Sequence, residues 1–305
     1  MSGTPPFDRV AALVQRLAVL TAAGIPPLAA WRYLVGHASD SPDGMVARIV
    51  QGATSAYDLP ARIAEASRDG PEAERSAWSS LAAVWRVATE VGAPLAPALD
   101  RSAGVLRALA QSARDVEVAL AGPAATSRIV LALPGVGVLL GMLLGFDLIG
   151  AFASLPGVIC LGGGGLLIGV AVRWNRGLLL WARDVDATPG IAFELLAVAL
   201  SGGASVDRAS EIVLRACAET GLEPPGDDAG SVVAFAAEAG VPVVALLRAE
   251  ADEVRRRARA AAAGRAARLE TRLLLPLGLC VLPAFVLLGV VPVALAILSS
   301  TALTL

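Results

Sequence analysis

Lysine is missing from this 305-residue chain, so all 25 of its basic side chains apart from the single histidine are arginine. The absence excludes a phosphate-binding loop of the GxxxxGK[ST] type, which needs a lysine to reach the phosphates. Arginine used throughout reads as the codon composition of a GC-rich genome rather than as a demand for guanidinium chemistry. Histidine is almost missing too. The only one, His37, opens a polar segment, His37 to Gly44, that is expected to be a loop. One imidazole with no cysteine or serine motif beside it supplies no general base, and an exposed side chain is the plainer reading. Cysteine is sparse: Cys160, Cys217 and Cys280 form an odd, scattered set without CxxC spacing. Neither a disulfide framework nor a zinc site follows, and the three read as small core residues. Aromatics make up 4% of the chain, so the bulk of any core comes from Ala, Leu, Val and Gly. A net charge of −2 leaves no basic footprint for nucleic acid. No catalytic residue, cofactor site or metal site is expected.

What the chain has in quantity is apolar length. It is 56% hydrophobic with mean hydropathy +0.67, too apolar for an ordinary soluble enzyme. Arg255, Arg256, Arg257 and Arg259, then Arg265, Arg268 and Arg272, lead into Leu273 to Leu298, a run of 26 residues without charge. About 20 apolar residues cross a bilayer core, so 273–298 reads as a transmembrane helix. Two more uncharged runs, Ile129 to Phe146 and Leu155 to Val172, lie close together. They read as a transmembrane hairpin over 128–172, with spans at about 129–149 and 155–172. Arg128 precedes the hairpin and Arg173 and Arg176 follow it, which places both outer ends in the cytoplasm. Anionic lipid contact and docking of an acidic partner are further readings of the Arg255–Arg257 cluster. Asp147 falls beside the expected turn, at the membrane interface rather than mid-span. The run Gly162 to Gly165 lies inside the second span and reads as a site of close helix packing.

The remaining segments have soluble helical character. Val10, Leu13, Val14, Leu17 and Leu20 give one apolar face, and Gly24-Ile25-Pro26-Pro27 ends that helix. Further helices are expected at 45–53, 58–68, 72–91 and 94–120, separated by Asp69-Gly70-Pro71 and Gly92-Ala93-Pro94. The expected architecture is all-α. A first cytoplasmic helical bundle occupies 1–127 and a second 173–272. Both are antiparallel, on three transmembrane helices, with an extracytoplasmic tail at 299–305. No secretory signal is visible at the start, where Pro5 and Pro6 precede an apolar stretch interrupted by Arg16, so the N-terminus is expected in the cytoplasm.

The chain also resembles itself. Leu20 to Trp31 aligns without a gap on Ala199 to Ser210, placing Gly24 on Gly203 and Ala30 on Ala209. Glu90-Val91-Gly92-Ala93-Pro94-Leu95 matches Glu238-Ala239-Gly240-Val241-Pro242-Val243. Gly122-Pro123 before Leu133-Pro134 parallels Gly264-Arg265 before Leu275-Pro276. Three matched blocks in one order point to a tandem duplication, with Ser205 standing where the first copy has Pro26. The matched acids Glu90 and Glu238 read either as coupling or partner contacts or as helix-end geometry.

The turn Ala23 to Leu28, the block at Glu90 to Leu95 with its repeat at Glu238 to Val243, and the two-bundle, three-span layout resemble the type II secretion system F domain family. The resemblance is strongest to its Tad (Flp) pilus branch. It implies a non-enzymatic inner-membrane platform for pilus or secretion assembly. Its implied partners are a cytoplasmic secretion ATPase, pilin subunits, a related second platform subunit and the lipid bilayer, in a homo- or hetero-oligomer. A small transporter or permease subunit built from a repeated membrane unit is the alternative. Three spans are few for a transport pathway, and none carries a mid-span charge.

Overall fold

The structure is a computed structural model, and it describes residues 6–37, 44–144, 150, 152, 154–183 and 188–294. Asp147 and the expected tail 299–305 lie outside the described residues. Every regular element among the described residues is helical. In order these are α1 (Pro6–Ala22), α2 (Pro27–His37), α3 (Met45–Val50), α4 (Leu59–Ser67), α5 (Glu72–Val91), α6 (Leu95–Leu143), α7 (Leu155–Arg183), α8 (Ile191–Ser201), α9 (Val206–Thr220), α10 (Asp227–Ala239) and α11 (Val243–Pro276). Beyond α11 the chain continues as a π-helical turn (Leu277–Val281), one α turn (Leu282–Phe285) and a second π turn (Val286–Val290).

The chain divides into two compact units. The first combines residues 1–113 with 186–259 and holds two apolar cores, the second of them shared by α5, the start of α6 and the helices from α8 onward. In the first core, Val10, Val14 and Leu17 present the apolar face of α1 to Trp31, Ile63, Leu81 and Trp85. Trp31 and Trp85 are fully buried and meet edge to face with ring centroids 5.9 Å apart. Such a pair adds about 0.5–1.5 kcal/mol beyond the area it buries. The Trp85 Nε1–H donates to the Ala56 carbonyl at 3.1 Å, which satisfies one indole in the core. Helix α5 has a second apolar face. Its Ala83, Val84, Val87 and Ala88 pack with Leu195 and Val198 of α8 and Ile212 and Val213 of α9. A helix apolar on two sides lies between two cores, and α5 is that element.

Ahead of α4 a turn is closed by Asp58. Its carboxylate accepts from Thr54 Oγ1 at 2.8 Å and from the Thr54 and Ser55 N–H groups at 2.9 Å each. The Thr54 hydroxyl, followed by the two backbone donors, lowers the Asp58 pKa to about 2. A carboxylate depressed on folding stabilises above its unfolded pKa and loses that contribution as pH falls through the folded value. The stability gap between the native chain and Asp58→Ala is therefore expected to be constant above about pH 5. It should close as pH is lowered from 4 to 2, measured by denaturant unfolding across that range.

The second unit combines residues 114–185 with 260–305. Among the described residues three helices are long and apolar enough to cross a membrane: Leu95–Leu143, Leu155–Ala182 and Val243–Ala294. Helix α6 runs unbroken through Pro123 and Pro134, so the helix expected at 94–120 and the first span, expected at about 129–149, are one helix. A proline removes a single hydrogen bond, and a helix of 49 residues tolerates the loss twice. Glycine governs packing in this unit. A Cβ on Gly164 would lie 2.4 Å from Leu288 Cγ, and one on Gly137 would lie 3.0 Å from Phe285 Cε2. The Gly162–Gly165 run therefore contains a close-approach point for the third apolar helix, through Gly164.

Candidate functional site

Two charged clusters, both in the first unit, stand out against its apolar cores. The first is built on Glu194, the only acid in the apolar helix α8 (IAFELLAVALS). Its side chain is 5% exposed. Arg255 of α11, equally buried, donates to Glu194 Oε1 at 2.8 Å and to Asp252 Oδ1 at 2.6 Å. Arg101 of α6 donates to the same Glu194 oxygen at 3.0 Å and to Asp252 Oδ2 at 3.1 Å. Two guanidiniums and two carboxylates thus fasten α6, α8 and α11 together. Burial opposes the charge on Arg101, but its bonds to Glu194 and Asp252 outweigh this and raise its pKa. For Asp252 too, burial is outweighed, here by the bonds from Arg255 and Arg101, and its pKa is lowered. Both partners are held in their charged forms.

Arg255 belongs to this cluster and not to the exposed basic run in which the sequence places it. Its neighbours Arg256 and Arg257 remain on the surface and both pair with Glu253, at 2.7 and 2.9 Å. Those two short bonds, led by the one from Arg256, hold Glu253 below its usual pKa. Arg128, Arg173, Arg176, Arg268 and Arg272 lie in the second unit and are exposed. Arg272 also stacks over the Trp181 ring at 4.3 Å, a cation–π contact of the kind that anchors a helix at a polar–apolar boundary.

The second cluster centres on Glu90, near the end of α5. Its carboxylate is reached by Arg86 of the same helix at 3.3 Å, and by Arg215 and Arg208 of α9 at 3.6 and 3.8 Å. Arg86 extends the network to Glu219 at 3.3 Å. The matched acid Glu238 is placed differently: it is exposed, and among the described residues it makes no ion pair. The two acids share a sequence position and not an environment.

The turns read from the sequence recur in geometry. Gly24 and Gly203 both have φ +85°, and Gly92 and Gly240 have φ +70° and +65°. After α5 the Ala93 N–H donates to the Ala88 carbonyl, and after α10 the Val241 N–H donates to Ala236 in the same way. Pro94 and Pro242 follow, and their carbonyls accept from Ala98 and Leu246. Where the first copy enters α2 through Pro26, the second uses Ser205, whose hydroxyl accepts from the Arg208 N–H at 3.4 Å.

Two glycines escaped the sequence reading although, within the first unit, a side chain is least tolerated there. A Cβ on Gly202 would sit 2.4 Å from Val91 Cγ2, and one on Gly190 would sit 2.7 Å from the Ala251 carbonyl. Their signal lies in contact across the fold, which no local pattern encodes.

For chemistry the clusters offer fixed charge and little else. The three cysteines are free and buried, and burial pushes the Cys217 thiol up to about 11, away from nucleophilic thiolate. Among the described residues no three His, Cys, Asp or Glu side chains gather as a metal site would require. A narrow, mainly apolar cleft beside Arg101 and Glu194 is lined by Val84, Ser102, Leu106 and Ile191. The chain gives no significant match to curated proteins or to solved structures. Residues 13–144 match a family model described as type II secretion system (T2SS), protein F. That match begins within α1, covers the first helix group and ends just past α6, so it is the first part of the chain that is similar to the type II secretion system protein F family.

Proposed function

We propose that the protein is a non-enzymatic inner-membrane platform of a type II secretion or Tad/Flp-type pilus machine, coupling a cytoplasmic secretion ATPase to the extraction of pilin subunits from the bilayer. The observation that carries this reading is the family match over residues 13–144, on a helix group whose last helix, α6, continues into an apolar stretch. The multi-pass character given by three long apolar helices fits the same role.

In this reading both helix groups and the N-terminus are cytoplasmic, because the arginines flank the spans there. The C-terminus is extracytoplasmic, and the chain is a tandem duplication whose matched turns support a common origin. The partners are the ATPase, a related second platform subunit and the pilins.

Gentle detergent extraction of the tagged, full-length chain is expected to co-purify a secretion ATPase, and deletion of the gene is expected to abolish surface pili or the corresponding secretion. Normal piliation and secretion in the deletion strain, with no ATPase recovered, would sink the reading.

A further inference from the structure

The first arginines of α11 are used inside the first unit: Arg255 on Glu194 and Asp252, and Arg256 and Arg257 on Glu253. Arg259 donates to the Ala108 carbonyl at 2.9 Å. The second unit treats its arginines differently. Arg128, Arg173, Arg176 and Arg272 are exposed, and among the described residues none of them has an acidic partner. Nearby acids are scarce in sequence as well. None occurs in 118–146, 148–183 or 271–305, and Glu270 is the single one interleaved with these arginines.

Height brings the four together. Ala171 of α7 clusters with Cys280 and Val281, with Val130 and Leu131 of α6 packed against them, and Ala182 clusters with Leu120 and Leu269. At about 1.5 Å per residue, these contacts set Arg128, Arg173, Arg176 and Arg272 within about 10 Å of one another along the helix axes. Three of them stand where an apolar run begins or ends: Arg128 before Ile129, Arg173 after Val172 and Arg272 before Leu273. In a bilayer that height is the headgroup layer, about 5–7 Å deep, which arginine stems reach by snorkelling.

The arginines also continue the outward faces of their helices. On α7, Ile159 and Leu166 are exposed, Arg173 follows at the same seven-residue spacing, and Arg176 lies one turn on. On the third apolar helix, Arg268 and Arg272 precede exposed Leu275 and Leu279 at spacings of four, three and four. A ligand lying on either face meets guanidinium at one end and hydrocarbon at the other. That order fits an amphiphile with an anionic head, whereas a soluble anion would use only half of it. Trp181 adds a fixed point. The Arg272 guanidinium stacks 4.3 Å from the centre of its ring, which leaves the edge N–H donors free to meet a phosphate in bidentate fashion.

We propose that Arg128, Arg173, Arg176 and Arg272 bind the phosphate groups of anionic phospholipid, with acyl chains lying along the exposed apolar faces of α7 and the third apolar helix. The site rests on these helices spanning a membrane and not on the secretion role. It also moves the anionic-lipid contact away from the Arg255–Arg257 run, whose charges the protein's own carboxylates take up.

The test uses the purified full-length chain reconstituted in vesicles of phosphatidylcholine brominated on its acyl chains. Bromine quenches nearby tryptophan; Trp174 and Trp181 lie in the second unit, and the other three tryptophans are buried in the first core. Stepwise replacement of the brominated lipid by unbrominated phosphatidylglycerol is expected to relieve quenching with about a fivefold or greater preference over unbrominated phosphatidylcholine. Arg272→Gln, and separately Arg173→Gln/Arg176→Gln, should each lower that preference about threefold or more. Arg256→Gln, at an arginine already paired with Glu253, should leave it unchanged. A native preference under about twofold would overturn the proposal. Equal losses from Arg256→Gln and Arg272→Gln would overturn the site in favour of bulk charge. An acidic protein retained through the same arginines, with no lipid preference in the purified chain, would overturn the choice of lipid. All the substituted positions are exposed, and helical content measured by circular dichroism checks that each variant folds.

Discussion

Replacing Glu194 by alanine is expected to cost about 3–5 kcal/mol of unfolding free energy, the usual effect of leaving a buried partner charge uncompensated. Arg255 is 5% exposed and its donors converge on Glu194 and Asp252, so without Glu194 the guanidinium remains in an apolar setting with one half-exposed carboxylate. Its Nη1 is already buried without a partner, so the site has no reserve of acceptors. The double variant Glu194→Leu/Arg255→Met should recover much of the loss, because it removes both desolvation costs and fills the volume with apolar atoms. Denaturant unfolding of the purified full-length chain, followed by far-ultraviolet circular dichroism, gives both values. A single-variant loss under about 1 kcal/mol, or a double variant worse than the single, would show that the cluster does not hold α6, α8 and α11 together.

Gly190→Ala is expected to be the most damaging glycine substitution in the first unit. The residue has φ +75°, and the left-handed region costs an L-residue about 1–2 kcal/mol. Its new Cβ would also lie 2.7 Å from the Ala251 carbonyl and 3.1 Å from the Ala251 Cα, both backbone atoms of α11 that have no rotamer to change. Overpacking of this kind adds about 1–3 kcal/mol. Gly203→Ala is the internal control: its φ is +85° and a Cβ there meets nothing within 4 Å, so only the backbone term applies. The difference between the two variants in thermal unfolding isolates the steric part, and equal losses would contradict the close approach of the 188–190 turn to α11.

The sequence carries most of the helix map because its punctuation is local. Gly24-Ile25-Pro26, Asp69-Gly70-Pro71 and Gly92-Ala93-Pro94 mark the ends of α1, α4 and α5, since Gly24 and Gly92 supply positive φ and the proline in each forbids continuation. The same local rule ended the helix at 120, before Pro123, whereas α6 runs on through Pro123 into the span. Charge was harder to read. Arg255 stands in a run of three arginines that looks uniformly exposed, yet helical geometry turns one of the three toward Glu194 and two toward solvent. Glu194 did carry a signal, a lone carboxylate in an eleven-residue apolar helix, a placement that charged residues reach only when paired. Glu90 and Glu238 show the opposite limit. Their local sequences match, and only the neighbours supplied by the rest of the chain make one a hub of three arginines and leave the other exposed.

The two π turns of the third apolar helix set its angular phase. Pro283 cannot donate to the carbonyl of Leu279, nor Pro292 to that of Leu288, and each of these carbonyls lies inside a π turn, Leu277–Val281 or Val286–Val290. Widening a turn by one residue sets everything beyond it back by up to about 100° relative to an unbroken α-helix. The two prolines, nine positions apart, therefore act as indexing marks. The one at 283 decides that Leu288, and no neighbour of it, is the side chain that seats against Gly164.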